Sequence, residues 1–94
     1  MKKTDGERGD GAVRVERKGP VVTVDLHGFT VPDARFRLEH LLDFLPAGVG
    51  EVRVIHGCNR GQALRDMVRN DLRHPRVAAR LPALNPGETR LLLK

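Results

Sequence analysis

The sequence predicts a small α/β domain, two layers deep, with a four-stranded mixed sheet and the element order βαβαββ. Three observations predict it. Two short β-branched runs, residues 21–26 (VVTVDL) and Glu51–Ile55 (EVRVI), flank a segment whose apolar residues repeat at helical spacing. Each run ends in the same dipeptide, His27-Gly28 and His56-Gly57. Near the C-terminus, two short apolar runs are joined by Asn85-Pro86-Gly87-Glu88, a turn sequence.

Residues 1–19 carry six basic and four acidic side chains and four glycines, with Val13 and Val15 as the sizeable apolar residues. They read as a flexible, mildly basic tail ahead of a domain spanning residues 20–94. The first strand follows at 21–26. Thr30 can cap a helix that has Val31-Pro32 in its first turn, where proline is tolerated. Ala34, Leu38, Leu41, Leu42 and Leu45 then line one helical face, and Pro46 and Gly48 stop it. After the second strand, Gly57 and Gly61 bracket a loop. A second helix is expected from about Gln62 to Arg73, with Ala63, Leu64, Met67, Val68 and Leu72 inward and His74-Pro75 at its end. The hairpin strands are expected at 80–84 and 89–93, with a type II turn at Pro86-Gly87. Pro82 predicts that the first of them is an edge strand.

Strand, helix, strand implies a right-handed crossover between parallel strands, so the two His-Gly ends share one rim of the sheet. Ligands bind at such rims in open α/β sheets. Alternation puts His56 on the side of Val52 and Val54, but Asp25 and His27 opposite Val22, Val24 and Leu26. One inside/outside rule for a shared site does not fit both, and a twist or bulge at the strand ends is expected.

The chain of 94 residues has a net charge of +5, a pI of about 10.3 and 39% hydrophobic residues. An acidic partner, nucleic acid first, is the natural expectation. The base is uneven: six arginines lie between Arg60 and Arg80 against Asp66 and Asp71. With three Phe and no Trp or Tyr, an aromatic base-stacking platform is not expected. Cys58 is the sole cysteine, which excludes an internal disulfide and leaves a cysteine zinc site without partners. No run is apolar and long enough to span a membrane, and the N-terminus lacks a signal-peptide pattern. A cytoplasmic monomer is the default expectation.

Asp25 and His27, two apart on a strand, share a face. A carboxylate there can orient an imidazole as a general base near neutral pH. His56 stands at the neighbouring strand end. The glycine after each histidine permits a sharp turn and close approach of a ligand. Backbone N–H groups where the loop opens into the second helix suit an anion. Arg60 can clamp the same phosphate, and Arg65, Arg69 and Arg73, at i, i+4 and i+8, form a stripe that could track a phosphodiester backbone. The loop lacks the Gly-Lys-Ser/Thr of a Walker site. Asp25, His27, His56 and Cys58 have no standard metal-ligand spacing, so no metal or other cofactor is expected, and dependence on a divalent ion is open. His40 and His74 read as structural.

Asp25-Leu26-His27-Gly28 resembles the Asp-Leu-His-Gly signature of Smr (small MutS-related) domains. Val54-Ile55-His56-Gly57, followed by Gly61 and Leu64-Arg65, resembles the family's second motif, His-Gly-x-Gly with a later Leu-Arg. Asn59 stands where that motif has its second glycine, and asparagine tolerates positive φ better than other residues with a side chain. The likeness covers about residues 20–94. It implies a fold similar to the C-terminal domain of translation initiation factor three, and binding to DNA or RNA, in several members with endonuclease activity. By position it implies Asp25 and His27 as the catalytic pair, with His56, Gly57 and Gly61 lining the substrate site. With the reading of the residues themselves, Asp25, His27 and His56 are the catalytic candidates, and Gly28, Gly57, Asn59, Arg60, Gly61, Arg65, Arg69 and Arg73 the candidates for binding phosphate. The sequence thus supports an endonuclease acting on RNA or DNA. The alternative is a non-catalytic RNA- or DNA-binding module, with the ribosome as one place for it to act.

Overall fold

The computed structural model describes residues 13–57 and 62–94. The elements are β1 (Arg14–Lys18), β2 (Val21–Asp25), α1 (Val31–Phe44), β3 (Glu51–Ile55), α2 (Gln62–Asp66) running into a π-helical segment (Met67–Asp71), β4 (Val77–Pro82) and β5 (Glu88–Leu93). The sheet order is β1-β2-β3-β5-β4. β2 and β3 are parallel, with Asp25 beside Ile55, and every other pairing is antiparallel. This is the mixed α/β class that the sequence predicts.

The sheet has five strands where four were expected. The extra strand, β1, lies within the segment read as a tail. Its five residues are all exposed, so no burial pattern advertises it. The signal that could have found it is Gly19-Pro20, a two-residue hairpin turn with Lys18 paired to Val21. Gly19 has φ 59°, which suits the first position of a type II′ turn, and proline's fixed negative φ suits the second. Charged side chains along this edge discourage pairing with another chain.

Thr30 caps α1 as expected: its Oγ1 accepts from the Asp33 N–H at 3.3 Å. The helix lays Ala34, Leu38 and Leu42 against the sheet. Leu41 and Leu45 pack at the margin of the same cluster. No basic residue stands in the last turn of α1. Arg76 instead reaches in from a distant part of the chain and donates to the carbonyls of Leu42 (3.1 Å), Leu45 (2.6 Å) and Pro46 (3.3 Å). A cation at a helix C-terminus satisfies orphan carbonyls and complements the dipole.

The second helix departs from the expected regular run. After Asp66 it widens, and the Leu72 N–H donates to the Met67 carbonyl five residues back at 2.7 Å. The wider turn lets Met67, Val68 and Leu72 all reach the core beside Leu64, while Ala63, expected inside, is exposed. Arg80 donates to the Leu72 carbonyl and Arg35 to the Asp71 carbonyl (3.0 Å), closing this C-terminus as Arg76 closes the other.

β4 begins and ends earlier than expected and lies at the edge of the sheet, as Pro82 predicted. The turn before β5 has the Glu88 N–H donating to the Asn85 carbonyl at 3.1 Å. The Gly87 N–H donates to the Asn85 side-chain oxygen at 2.8 Å. Gly87 does not have positive φ, so the turn is not type II. The asparagine side chain holds it closed instead.

Val22, Val24, Val52, Val54, Thr89 and Leu91 turn toward the helices and are buried. Their neighbours Thr23, Asp25, Arg53, Glu88 and Arg90 lie on the opposite, uncovered face. Leu38 has no exposed surface at the centre of the covered side. Leu38→Ala should lower the unfolding free energy by about 3 kcal/mol through lost burial and a residual cavity, with an unchanged slope in urea denaturation.

Candidate active site

Asp25 ends β2 on the uncovered face, and the chain turns immediately after it. The Asp25 Oδ1 accepts the backbone N–H of His27 at 3.1 Å and meets the ring Nδ1 at 2.5 Å. A carboxylate only accepts, so Nδ1 carries the proton in the neutral ring and Nε2 keeps its lone pair. The His27 side chain is 68% exposed and Nε2 has no partner among the described residues. Asp25 therefore fixes both the tautomer and the direction of an imidazole whose basic nitrogen faces solvent.

The turn that carries His27 is braced on both sides. Gly28 has φ 89°, and the Phe29 N–H returns to the Leu26 carbonyl at 3.2 Å. The Arg37 guanidinium lies 5.1 Å over the Phe29 ring, a cation–π contact from α1. The other His-Gly end lies alongside. Gly57 has φ 91°, and a Cβ built there would come within 3.7 Å of the His27 Cβ. Both glycines adopt the left-handed backbone region, which makes the sharp turn expected after each histidine.

His56 is placed differently from the expectation that it faces a substrate. It is 1% exposed and lies on the covered side of the sheet with Val52 and Val54. Its Nδ1 donates to the Gly57 carbonyl at 3.1 Å, which leaves Nε2 as the acceptor. The Thr89 hydroxyl donates to Nε2 at 2.9 Å, and the same oxygen accepts from Arg69 Nε at 2.9 Å. Burial pushes the His56 pKa below the ordinary histidine value; the Gly57 carbonyl opposes this, and the nearby Arg69 and Arg65 charges reinforce it. A neutral ring with both nitrogens engaged holds the rim in shape. The parity conflict in the sequence needs no bulge: the two histidines lie on opposite faces.

Arg65, Arg69 and Arg73 do not form one stripe. The π-helical segment breaks the i, i+4 repeat. Arg69 turns inward to Thr89 and to the Glu88 carbonyl (3.4 Å), and Arg73 folds onto the Asn70 and Leu72 carbonyls. Arg65 remains at the surface, 3.4 Å from Asp66. Much of the basic cluster between Arg60 and Arg80 is thus spent on closing helix ends. Cys58, Asn59, Arg60 and Gly61 lie outside the described residues. Among the described residues, no group of three or more His, Cys, Asp or Glu could hold a metal ion, and no helix is long and apolar enough to cross a membrane. His74 is structural: it contacts Asp43 at 2.7 Å and accepts the Arg76 N–H at 3.1 Å.

Sequence reasoning missed Thr89, which links His56 to Arg69, because a lone threonine in an apolar strand carries no signal of its partners. It also missed Glu51, which receives Arg90 at 2.9 and 3.2 Å and Arg53 at 3.1 Å on the uncovered face. Arg90, then Arg53, hold the Glu51 carboxyl below the usual carboxylate range against the opposing effect of burial.

A protein-family model for the Smr domain matches residues 24–88, from Val24 near the end of β2 to Glu88 at the start of β5. The chain belongs to the Smr family. Searches of curated proteins and of solved structures gave no significant match. As an Smr domain, the chain is supported as a nucleic-acid-binding module.

The neutral state of His56 has a consequence for stability. Its folded pKa lies below the unfolded value of 6.5, so the unfolded chain binds the proton more readily. The contribution is present above pH 6.5 and is lost as pH falls through the folded value. Urea unfolding of this Smr domain should show stability declining as pH falls from 6.5 toward the folded value, and His56→Gln should remove that part of the decline.

Proposed function

We propose that this Smr domain cleaves nucleic-acid phosphodiesters, with His27 as the general base and Asp25 as the residue that orients it. The observation that supports this is the Asp25–His27 pair, with Nδ1 bound to the carboxylate and Nε2 open to solvent. In the reaction, His27 Nε2 takes the proton from the attacking hydroxyl, a ribose 2′-OH in RNA or water in DNA. The oxygen then adds to phosphorus and the bond to the leaving oxygen breaks. The new imidazolium is stabilised by the Asp25 carboxylate. His27 later returns its proton to solvent or to the leaving oxygen.

Charge on the phosphorane calls for cations and N–H donors placed where it develops. Arg65, at the surface and close enough to influence His56, is one such cation. Arg60 and the backbone of residues 58–61 are the others we assign to this role, together with the close approach that Gly28 and Gly57 allow. His56 acts as a positioning residue: its bonds to Gly57 and Thr89 fix the rim against which His27 stands.

A second reading, a binding module without catalysis, is favoured by one observation. Both nitrogens of His56 are engaged, so it does not offer a proton to a leaving group. One experiment decides between the two. Labelled single-stranded RNA, structured RNA and plasmid DNA are incubated with the wild type and with His27→Ala, with and without divalent ions. We expect cleavage by the wild type, a loss of at least about 100-fold in His27→Ala, the low end for removing a general base, and retained binding. Binding without cleavage by either protein would leave the module reading in place.

A further inference from the structure

The uncovered face of the sheet carries a concavity of about 650 Å³, within the size range of small-ligand sites. Its floor is Arg53 on β3 and Arg90 and Glu88 on β5, and Pro82 at the end of β4 with Leu84 and Asn85 beyond it forms the wall. Glu88 pairs with Ile55, and Ile55 pairs with Asp25. The floor therefore begins two strand spacings from the catalytic pair, about 10 Å, on the same face of the sheet. A strand of nucleic acid whose phosphate meets His27 can place a neighbouring base there.

The polar groups of the concavity are set before any ligand arrives. Glu51 receives both Arg90 Nε and its NH2, and also Arg53 Nε. The two terminal nitrogens of Arg53 are left without partners among the described residues and form a fork of parallel N–H donors. Among the described residues, the Glu88 carboxylate accepts only from Asn85 Nδ2, at 3.5 Å through one oxygen. Its carboxylate stays an acceptor beside that fork. Pro82 and the exposed Leu84 offer an apolar surface for the flat face of a base.

We infer that this concavity binds an unpaired guanine next to the scissile phosphate, which rests on the phosphodiesterase reading of the adjoining site. Guanine presents two acceptors, O6 and N7, along one edge, and an arginine fork matches them in a bidentate pair. Its next edge presents two donors, N1–H and the N2 amino group, which suit a carboxylate. Adenine puts a donor where O6 stands and lacks the N1 proton. Pyrimidines lack N7 altogether. Arg53 and Glu88 together select guanine, and Glu51 holds Arg53 in place.

The test is binding rather than cleavage, with full-length His27→Ala so that no substrate is consumed. Short single-stranded RNAs that differ at one position, carrying guanosine, inosine or adenosine in a background free of guanine, are titrated by fluorescence anisotropy. The guanosine oligonucleotide should bind about tenfold or more tightly than the adenosine one, the scale of a good bidentate contact. Inosine, which keeps O6 and N7 but lacks the amino group, should fall between them. With Glu88→Gln, guanosine and inosine should bind alike, and with Arg53→Gln the preference of both over adenosine should shrink. Thermal melting of each variant establishes that it is folded. Equal binding of all three oligonucleotides would overturn the guanine assignment and leave the nuclease reading standing. Failure to bind any of them, or plasmid DNA, would overturn both.

Discussion

Paired strands send side chains to alternate faces with a period of two, and in the β2–β3 pair this rule divides the site. Val22, Val24, Val52 and Val54 must face the helices to make a core. Asp25 then has to lie on the uncovered face, and His56, two residues beyond Val54, has to lie inside. A slip of one residue in either strand would expose its valines, and would bury Asp25 in β2 or Arg53 in β3. The hydrophobic register and the placement of the two histidines are therefore one constraint. It makes one imidazole accessible and the other internal although both end in the same dipeptide.

The internal histidine has a structural logic of its own. A buried imidazole is tolerable when both nitrogens are bonded and the ring is neutral. The Gly57 carbonyl and the Thr89 hydroxyl meet that requirement, and Arg69 completes the line across to α2's continuation. This chain of bonds ties β3, β5 and the π-helical segment together directly behind the rim. The rim in turn brings Gly57 against His27, so the exposed base rests on a buried polar network. Two of the arginines that look from the sequence like a phosphate track serve the same end, Arg69 by joining this network and Arg73 by folding onto the Asn70 and Leu72 carbonyls, and Arg76, Arg80 and Arg35 satisfy the carbonyls on which α1 and the π-helical segment end.

The βαβ unit, the Thr30 cap, the apolar face of α1 and the edge position of β4 were legible because each follows from local rules of period, capping and proline chemistry. So was the pairing of Asp25 with His27, although it is made by the turn after β2, in which Asp25 accepts the His27 N–H, and not by a shared strand face. β1 was not legible from burial because all its side chains are exposed, and only Gly19-Pro20 hinted at a hairpin. The π-helical widening was hidden because an apolar repeat does not distinguish a four-residue from a five-residue return. His56 was misjudged by giving its dipeptide more weight than its parity with Val52 and Val54. The Glu51, Arg53 and Arg90 cluster depends on lateral pairing of β3 with β5, which no local pattern in the chain specifies.

The division of labour between the two histidines is the central claim, and ring-nitrogen NMR on the ¹⁵N-labelled chain reads it directly. Spectra would be followed across pH and again with a non-cleavable 2′-O-methyl oligonucleotide. The account predicts that His56 keeps the neutral Nδ1–H form below pH 6.5, where an ordinary histidine gains its proton, and does not respond to the oligonucleotide, whereas the His27 Nε2 resonance shifts on binding. A His56 ring that titrates as an ordinary histidine and shifts with the oligonucleotide, beside an unresponsive His27, would contradict it.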